Sequence, residues 1–197
     1  GKAVEDLILD KIQHAIIRIG KDKKPLVGQF FKLLISLPRP VPIGYLSEIM
    51  EVDIDFLKDL SSDIWHGLIL EDDLFSFRDE DFENYIRETY KISLEELKEI
   101  AQIFLSKSET DEYASINLGS LLFTANYKKE LVDIVLNRKL LTFPKDPIRN
   151  REVYINRTKL ALKVSNDIQD DLTYFKLLFI AAEESKTDKA LTELLIN

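Results

Sequence analysis

Along the first twenty residues, apolar side chains recur at intervals of three and four, which places them on one face of an α-helix. The pattern predicts a leading helix over residues 5–19 that ends at Gly20. Its apolar face consists of Val4, Leu7, Ile8, Ile12, Ala15, Ile16 and Ile19. The basic residues 21–24 follow and are predicted to link this helix to the next apolar segment.

The next segment is apolar on nearly all sides and is bounded by prolines. Pro25 suits the first turn of a helix, where no amide donor is needed, and residues 26–37 predict a helix at the centre of a core. Residues 38–42 (Pro-Arg-Pro-Val-Pro) end that helix. A short helix is predicted from the last of these prolines, and then a third helix capped by Asp53 and closed at Gly67.

After this third helix the period of the pattern changes from helical to strand-like. Residues 68–71 and 74–78 read as two short strands around Asp72-Asp73, which predicts a β-hairpin with a two-residue turn. Asp79 is expected to cap the closing helix with its carboxylate. Three helices, a hairpin and a closing helix in this order predict a winged-helix domain over residues 21–92.

From residue 93 onward one glycine and two prolines interrupt the pattern, so helices should dominate. Helix starts near residues 93 and 127 are about one repeat period of a paired-helix solenoid apart. Residues 93–197 are therefore predicted to form a repeat-like (solenoid) helical array, with further amphipathic stretches at 112–125, 127–139, 151–165, 169–184 and 187–196. Its aromatic side chains are expected in the core: Phe104, Tyr113, Phe123, Tyr127, Phe175 and Phe179.

Composition supports this mainly α fold class. The 197 residues include six glycines and six prolines, about half of the roughly 12% that an average protein contains, which disfavours sandwiches and barrels. The absence of cysteine excludes disulfides, thiolate zinc sites and cysteine nucleophiles. No apolar run reaches the roughly 18 residues that a membrane span requires. We expect a cytoplasmic protein without membrane contact and, because the sequence opens on Gly1, a fragment of a longer chain.

The sequence offers no catalytic or metal-binding constellation. His14 and His66 are the two histidines, and neither has the spacing of a metal-binding pair; a charged His66 would favour the end of its helix. No phosphate-binding Walker loop, dinucleotide-binding turn or nucleophile elbow occurs. The acidic residues 79–81 belong in the first turn of a helix, where the dipole favours negative charge. We therefore expect no enzymatic activity, no metal and no cofactor in this segment.

The distribution of charge bears on nucleic-acid binding. Residues 48–88 hold 14 acidic side chains against three basic ones. The third predicted helix, which commonly enters the major groove in a winged-helix domain, carries four aspartates against Lys58. Such a helix would repel a phosphate backbone, and so direct DNA reading by it is disfavoured.

Basic side chains gather instead in the second half of the chain. A solvated helix face explains such a cluster, and so does a docking surface for an acidic partner or a nucleic acid. Both interpretations stay open from the sequence. The candidate surface consists of Arg138, Lys139, Lys145, Arg149, Arg151, Arg157, Lys159 and Lys163.

Three segments share a pattern with one known family. Residues 37–46 (LPRPVPIGYL), 67–78 (GLILEDDLFSFR) and 77–83 (FRDEDFE) resemble the winged-helix module of STAND-class signalling ATPases of the NACHT and NB-ARC type. The continuation into a helical array, with Ala161-Leu162 after an arginine-rich helix, is similar to the sensor arms of prokaryotic members.

The resemblance implies a role for one residue in particular. In that family the winged helix packs on the nucleotide at rest and is released on activation, and a Met-His-Asp motif senses the nucleotide phosphate. Phe77, Arg78 and Asp79 occupy the matching positions, so that Arg78 stands where the family has histidine. A guanidinium can itself hydrogen-bond phosphate. ATP or ADP would then be the nucleotide of the parent protein, bound by an upstream ATPase domain of which residues 1–20 form the tail.

Three functional hypotheses follow. In the first, the chain is a non-catalytic lid and the start of a sensor or scaffold arm that binds a protein partner. In the second, it is a nucleic-acid-binding regulator with a winged-helix head and a helical interaction domain. In the third, it is a plain helical scaffold that binds protein. Salt-dependent binding centred on residues 138–163 would distinguish the second hypothesis from the others.

Overall fold

The computed structural model describes residues 2–137, 141–168 and 170–196. Within them the chain is mainly α-helical and contains a small antiparallel sheet, as predicted. The chain folds as two compact units, Gly1–Ser93 and Leu94–Asn197. None of the helices in the described ranges combines the length and the apolar character needed to cross a membrane.

The first unit combines five helices with three short strands in the described residues, and it begins with two helices joined by a single 3₁₀ turn, Lys21–Lys23. The elements are α1 (Lys2–Ile19), α2 (Lys24–Ser36), β1 (Val41–Pro42), α3 (Ile43–Met50), α4 (Ile54–Asp63), β2 (Leu68–Glu71), β3 (Leu74–Phe77) and α5 (Glu80–Thr89). The predicted helices and the hairpin are therefore present. The strand β1 was not predicted, because it has only two residues, of which Pro42 is one, and Pro40 directly precedes it.

The sheet of the first unit has the order β1-β3-β2, and both pairings are antiparallel. Val41 in β1 lies opposite Phe75 in β3, which ties the proline-rich segment to the hairpin. The hairpin turn is made by Asp72 and Asp73, with φ angles of 51° and 60°. Aspartate tolerates this left-handed conformation better than most residues do, and the predicted two-residue turn is confirmed.

The core of the first unit surrounds α2, as its all-round apolar pattern predicts. Phe30 and Phe31 are completely buried. The ring centroid of Phe30 lies 5.3 Å from that of Phe75, edge to face, and that of Phe31 lies 6.0 Å from Phe82. Helix α1 packs on α4 and α5 and buries Ile8, Ile12 and Ala15. The leading helix is thus part of the compact first unit.

The helix ends show which capping predictions were right. Asp79 accepts a hydrogen bond from the Phe82 amide at 2.8 Å, so the predicted cap of α5 is confirmed. Asp53 occupies the N-cap position of α4, but its side chain makes no capping hydrogen bond. The same helix ends at Asp63, four residues before Gly67, and so the prediction that Gly67 closes it was wrong.

The second unit is built entirely of helices in the described ranges: α6 (Leu94–Lys107), α7 (Glu112–Thr124), α8 (Lys128–Leu136), α9 (Pro147–Ile168) and α10 (Asp171–Ile196). Helix α9 packs against α7, α8 and α10, and α6 packs against α7. The stretches predicted separately at 169–184 and 187–196 form the single helix α10. The apolar core of this unit includes Ile100, Phe104, Leu118, Leu122, Leu131, Val135, Ala161 and Leu177.

The aromatic side chains predicted in this core divide into two groups. Phe104 is fully buried, and Tyr113 lies against it with a centroid distance of 5.8 Å; Tyr127 is partly buried. Phe123, Phe175 and Phe179 are 42%, 57% and 71% exposed, so the prediction of core positions for these three was wrong. Helical spacing alone does not reveal which stripe of a helix faces its neighbours.

Candidate functional site

Arg78 follows directly on β3 and is fixed there by its backbone. Its amide donates a hydrogen bond to the Gly67 carbonyl at 3.0 Å, which closes the base of the hairpin. The side chain is exposed, and its guanidinium carbon lies 5.7 Å from the ring centroid of Trp65. Trp65 is itself 62% exposed. We call this pair, Arg78 and Trp65, the Arg78 corner.

The charge of Arg78 is not neutralised by a carboxylate in the described part of the chain. The adjacent Asp79 uses its carboxylate to cap α5. An aromatic face attracts a guanidinium by about 0.5–1 kcal/mol at an exposed site, far less than a charge-assisted hydrogen bond gives in a dry site. The Arg78 corner therefore presents a positioned cation to solvent.

A tight contact beneath the corner fixes its geometry. A side-chain carbon at Gly67 would overlap the ring of Phe82, which is 1% exposed. The ring of His66 meets the same Phe82 ring edge to face, with centroids 5.7 Å apart. Glycine is therefore required at position 67 because a side chain has no room there, and not because the backbone is left-handed. The missing side chain lets the start of β2 lie in contact with Phe82 of α5.

His66 lies in the turn between α4 and β2, three residues after α4 ends. Burial, together with the charge of Lys11, holds the pKa of His66 below its ordinary value of 6.5, although the Asp79 carboxylate opposes that shift. The lowered pKa favours the neutral form of the ring. His14, by contrast, is exposed and lies 3.5 Å from Asp10.

The outer side of α4 is acidic, and it lines an open groove of about 800 Å³. Asp53, Asp55 and Asp59 line this groove together with Arg18 and Lys23. Arg18 makes an ion pair of 2.6 Å with Asp63. The groove therefore carries excess negative charge, which opposes contact between α4 and a phosphate backbone. Within the described ranges, no group of three or more His, Asp or Glu side chains could hold a metal ion.

The basic residues predicted to form one surface have different surroundings in the described part of the chain. Arg138 and Lys139 lie outside the described residues. Arg149 is 3.8 Å from Glu112, and Arg151 pairs with Glu184 at 3.2 Å. Lys145 lies over the ring of Phe143, and Lys159 and Lys163 are exposed on α9.

Arg157 is the clearest departure from the predicted basic surface, because it is 4% exposed. Its Nη2 donates a hydrogen bond to the Ser115 carbonyl at 2.5 Å. Burial lowers the pKa of Arg157 to about 10, so the guanidinium is still charged at pH 7. No feature of the sequence distinguishes it from the neighbouring basic residues of the same helix.

No established protein-family profile matches this chain, and no curated protein is significantly similar to it.

Proposed function

We propose that the chain is a non-catalytic regulatory segment of a STAND-type ATPase. In this proposal residues 21–92 form a winged-helix lid on the nucleotide, and residues 93–197 begin a helical sensor or scaffold arm that binds a protein partner. The parent protein would be cytoplasmic and would bind ATP or ADP in an ATPase domain of the same polypeptide.

The element order of the first unit supports the winged-helix part of this proposal. Helix α2, the short strand β1, helices α3 and α4 and the hairpin β2–β3 follow one another in the order of that fold, and β3 pairs with both other strands. The acidic outer face of α4 is unsuited to the major groove. A winged helix of this charge is better suited to a protein surface than to DNA.

Arg78 is the observation that carries the nucleotide part of the proposal. It holds the position at which the resembled family places its phosphate-sensing residue, and the structure leaves its guanidinium exposed and without a carboxylate in the described chain. A guanidinium can bind phosphate oxygens through two parallel hydrogen bonds. The hydrogen bond from the Arg78 amide to the Gly67 carbonyl fixes the backbone from which the Arg78 side chain extends.

The spacing and pairing of helices in the second unit support the helical-arm part of the proposal. Helices α6 and α8 begin at Leu94 and Lys128, about one paired-helix repeat apart, and α6 pairs with α7 as α8 pairs with α9. The exposed apolar side chains of α10, including Phe175 and Phe179, would give such an arm a surface for a protein partner.

Regulation would follow from a difference in contacts between two states. With ADP bound, the lid would be held closed by the contact of Arg78 with a phosphate; a partner that binds the arm better in the open state would shift the population towards release. The size of the shift is limited by that difference in affinity.

The proposal makes a direct genetic prediction: a Walker A loop, Gly-x₄-Gly-Lys-Ser/Thr, is encoded upstream of residue 1 in the same reading frame. In the protein that contains it, Arg78→Ala should weaken ADP retention by about 10- to 100-fold, the loss expected for one charge-assisted hydrogen bond. Arg87→Ala is the matched control, because Arg87 is engaged by Glu83 at 2.7 Å. Unchanged ADP affinity in Arg78→Ala would contradict the assignment.

A second measurement uses the 197-residue chain alone. Trp65 is its single tryptophan, so its fluorescence reports on the Arg78 corner. Titration with pyrophosphate should change this emission, and Arg78→Ala should abolish the response while Arg78→Lys reduces it. An equal response in wild-type and Arg78→Ala would show that the corner does not contact phosphate.

A further inference from the structure

The second unit contains a cavity of about 290 Å³ next to Arg157. Its walls come from α6, α7, α8, α9 and the loop before α9. Polar and apolar residues share the lining, which includes Ser108, Leu118, Ile134, Asn137, Thr142 and Arg157. This volume is at the lower end of the range of about 300–1,000 Å³ found for small-molecule sites.

Arg157 has more donors than the protein uses. A guanidinium has five N–H donors, and in the described chain it makes one hydrogen bond, to the Ser115 carbonyl. The buried Nε has no partner. Polar groups that are buried are nearly always hydrogen-bonded, and an exception calls for a physical explanation.

Within the described residues no carboxylate forms an ion pair with Arg157, although Glu109 also lines the cavity. Buried charges in proteins are normally paired with an opposite charge. Burial lowers the pKa of Arg157 but leaves the guanidinium charged at pH 7. A bound anion would supply the missing opposite charge and accept hydrogen bonds from the guanidinium.

The surroundings of Arg157 are fixed in advance. Gly119 lets α7 approach α9 so closely that an added side-chain carbon would lie 2.8 Å from the Arg157 Cγ. Two hydrogen bonds hold the residues on either side of Thr142. The Ser115 hydroxyl donates to the Phe143 carbonyl at 2.8 Å, and the side-chain amide of Asn150 donates to the Leu141 carbonyl at 2.8 Å. Such preorganisation lowers the cost of ligand binding.

We propose that the cavity at Arg157 binds a small oxyanion, the carboxylate or phosphate group of a metabolite-sized molecule. The guanidinium supplies the charge and the unused donors, the polar residues of the wall add hydrogen bonds, and the apolar residues accommodate the rest of the molecule. The site lies wholly within the second unit and does not depend on the proposed lid function.

The side-chain Nε–H signal of Arg157 in a ¹H–¹⁵N NMR spectrum tests this site directly. The 197-residue chain is titrated with inorganic phosphate, with acetate and with chloride at constant ionic strength, and the signal is assigned by its loss in Arg157→Lys. We expect a saturable shift with phosphate or acetate and none with chloride. The oxyanion that saturates at the lower concentration identifies the preferred group. No saturable shift with either one overturns the proposal, as does an equal shift with chloride.

Variants at the exposed rim keep the test valid if Arg157 variants fold poorly. Glu109→Gln removes a negative charge from the cavity wall and should strengthen oxyanion binding by about 2- to 5-fold, as expected for a partly screened charge pair. Thr142→Val removes one hydroxyl and should weaken binding by about 3- to 10-fold. Lys159→Gln is the control, since Lys159 is exposed on the same helix but does not line the cavity. Weaker or unchanged binding in Glu109→Gln would contradict an anion site.

This experiment is independent of the one at the Arg78 corner. Phosphate at Arg78 changes the fluorescence of Trp65 in the first unit, whereas phosphate at Arg157 shifts an NMR signal in the second. Loss of either response leaves the other interpretable. A shift at Arg157 that survives in Arg78→Ala is the result expected for a separate site.

Discussion

Replacing Gly67 by alanine should destabilise the first unit because there is no space for the added carbon. That carbon would overlap three ring atoms of Phe82. The ring cannot move away freely, since Phe82 is 1% exposed and is packed against Phe31 and His66. The backbone is held too: the Gly67 amide donates to the Ile64 carbonyl at 3.0 Å, and the Gly67 carbonyl accepts from Arg78 at 3.0 Å.

The expected cost is that of overpacking a core, about 1–3 kcal/mol. For a unit of this size each kcal/mol corresponds to about 4–8 °C in Tm. Gly44→Ala is the matched control, because no atom lies within 4 Å of the carbon it would add. Gly44 lies within α3, where alanine is favoured over glycine by about 0.5–1 kcal/mol. The two Gly→Ala changes should therefore shift stability in opposite directions.

Urea unfolding monitored by Trp65 fluorescence measures both variants, because Trp65 is two residues from Gly67. Phe82→Leu in the Gly67→Ala background should recover part of the loss, so the two substitutions should be non-additive. A Gly67→Ala protein within about 0.5 kcal/mol of wild type, the range of ordinary surface substitutions, would refute the steric argument. Additive effects in the double variant would refute it as well.

Three further predictions concern the same chain. Asp79→Ala removes the cap of α5 and should lower the free energy of unfolding by about 1 kcal/mol in urea titrations; no loss would mean that the cap is replaced by water. Because the pKa of His66 is lower in the folded than in the unfolded chain, His66 takes up a proton more readily in the unfolded chain as the pH falls below 6.5. Stability should therefore decline from pH 7 into that range, and the decline should be smaller in His66→Gln, as measured by urea midpoints at several pH values; an equal decline in His66→Gln would contradict the lowered pKa. Phe179→Asn should leave thermal stability nearly unchanged, whereas Phe104→Leu in the buried core should cost about 1–3 kcal/mol; equal losses would contradict the packing of α10.

The features predicted correctly from the sequence are determined by residues that are close together along the chain. The turn at Asp72 and Asp73, the cap at Asp79 and the central helix α2 each follow from a local pattern. The strand β1 escaped prediction because its hydrogen bonds go to β3, more than thirty residues away. No pattern within two residues, one of which is proline, encodes such a long-range pairing.

The errors on α10 have a related cause. An amphipathic pattern identifies an apolar stripe along a helix. Where apolar residues occur on several sides of the helix, more than one stripe could pack against a neighbouring helix. Leu177 and Ile180 are buried, whereas Phe175 and Phe179, only one or two positions away, are exposed. The choice between these stripes is made by the position of α9, which the sequence of α10 does not contain.

The candidate sites depend on compensation of charge, a property that a count of charges in the sequence cannot measure. Arg151 is paired with Glu184, and Lys159 is exposed to solvent, so neither has an electrostatic need for a ligand. Arg157 is buried, and within the described residues no carboxylate pairs with it, which makes it the residue of its helix where an added anion gains the most. Arg78 stands between these cases, since it is hydrated and rests on Trp65, so that only a partner surface that excludes water would make its charge strongly attractive to phosphate. The two arginines should accordingly differ in affinity: Arg157 should bind its oxyanion tightly in the isolated chain, whereas Arg78 should bind phosphate or pyrophosphate weakly there and tightly when an ATPase domain encloses it.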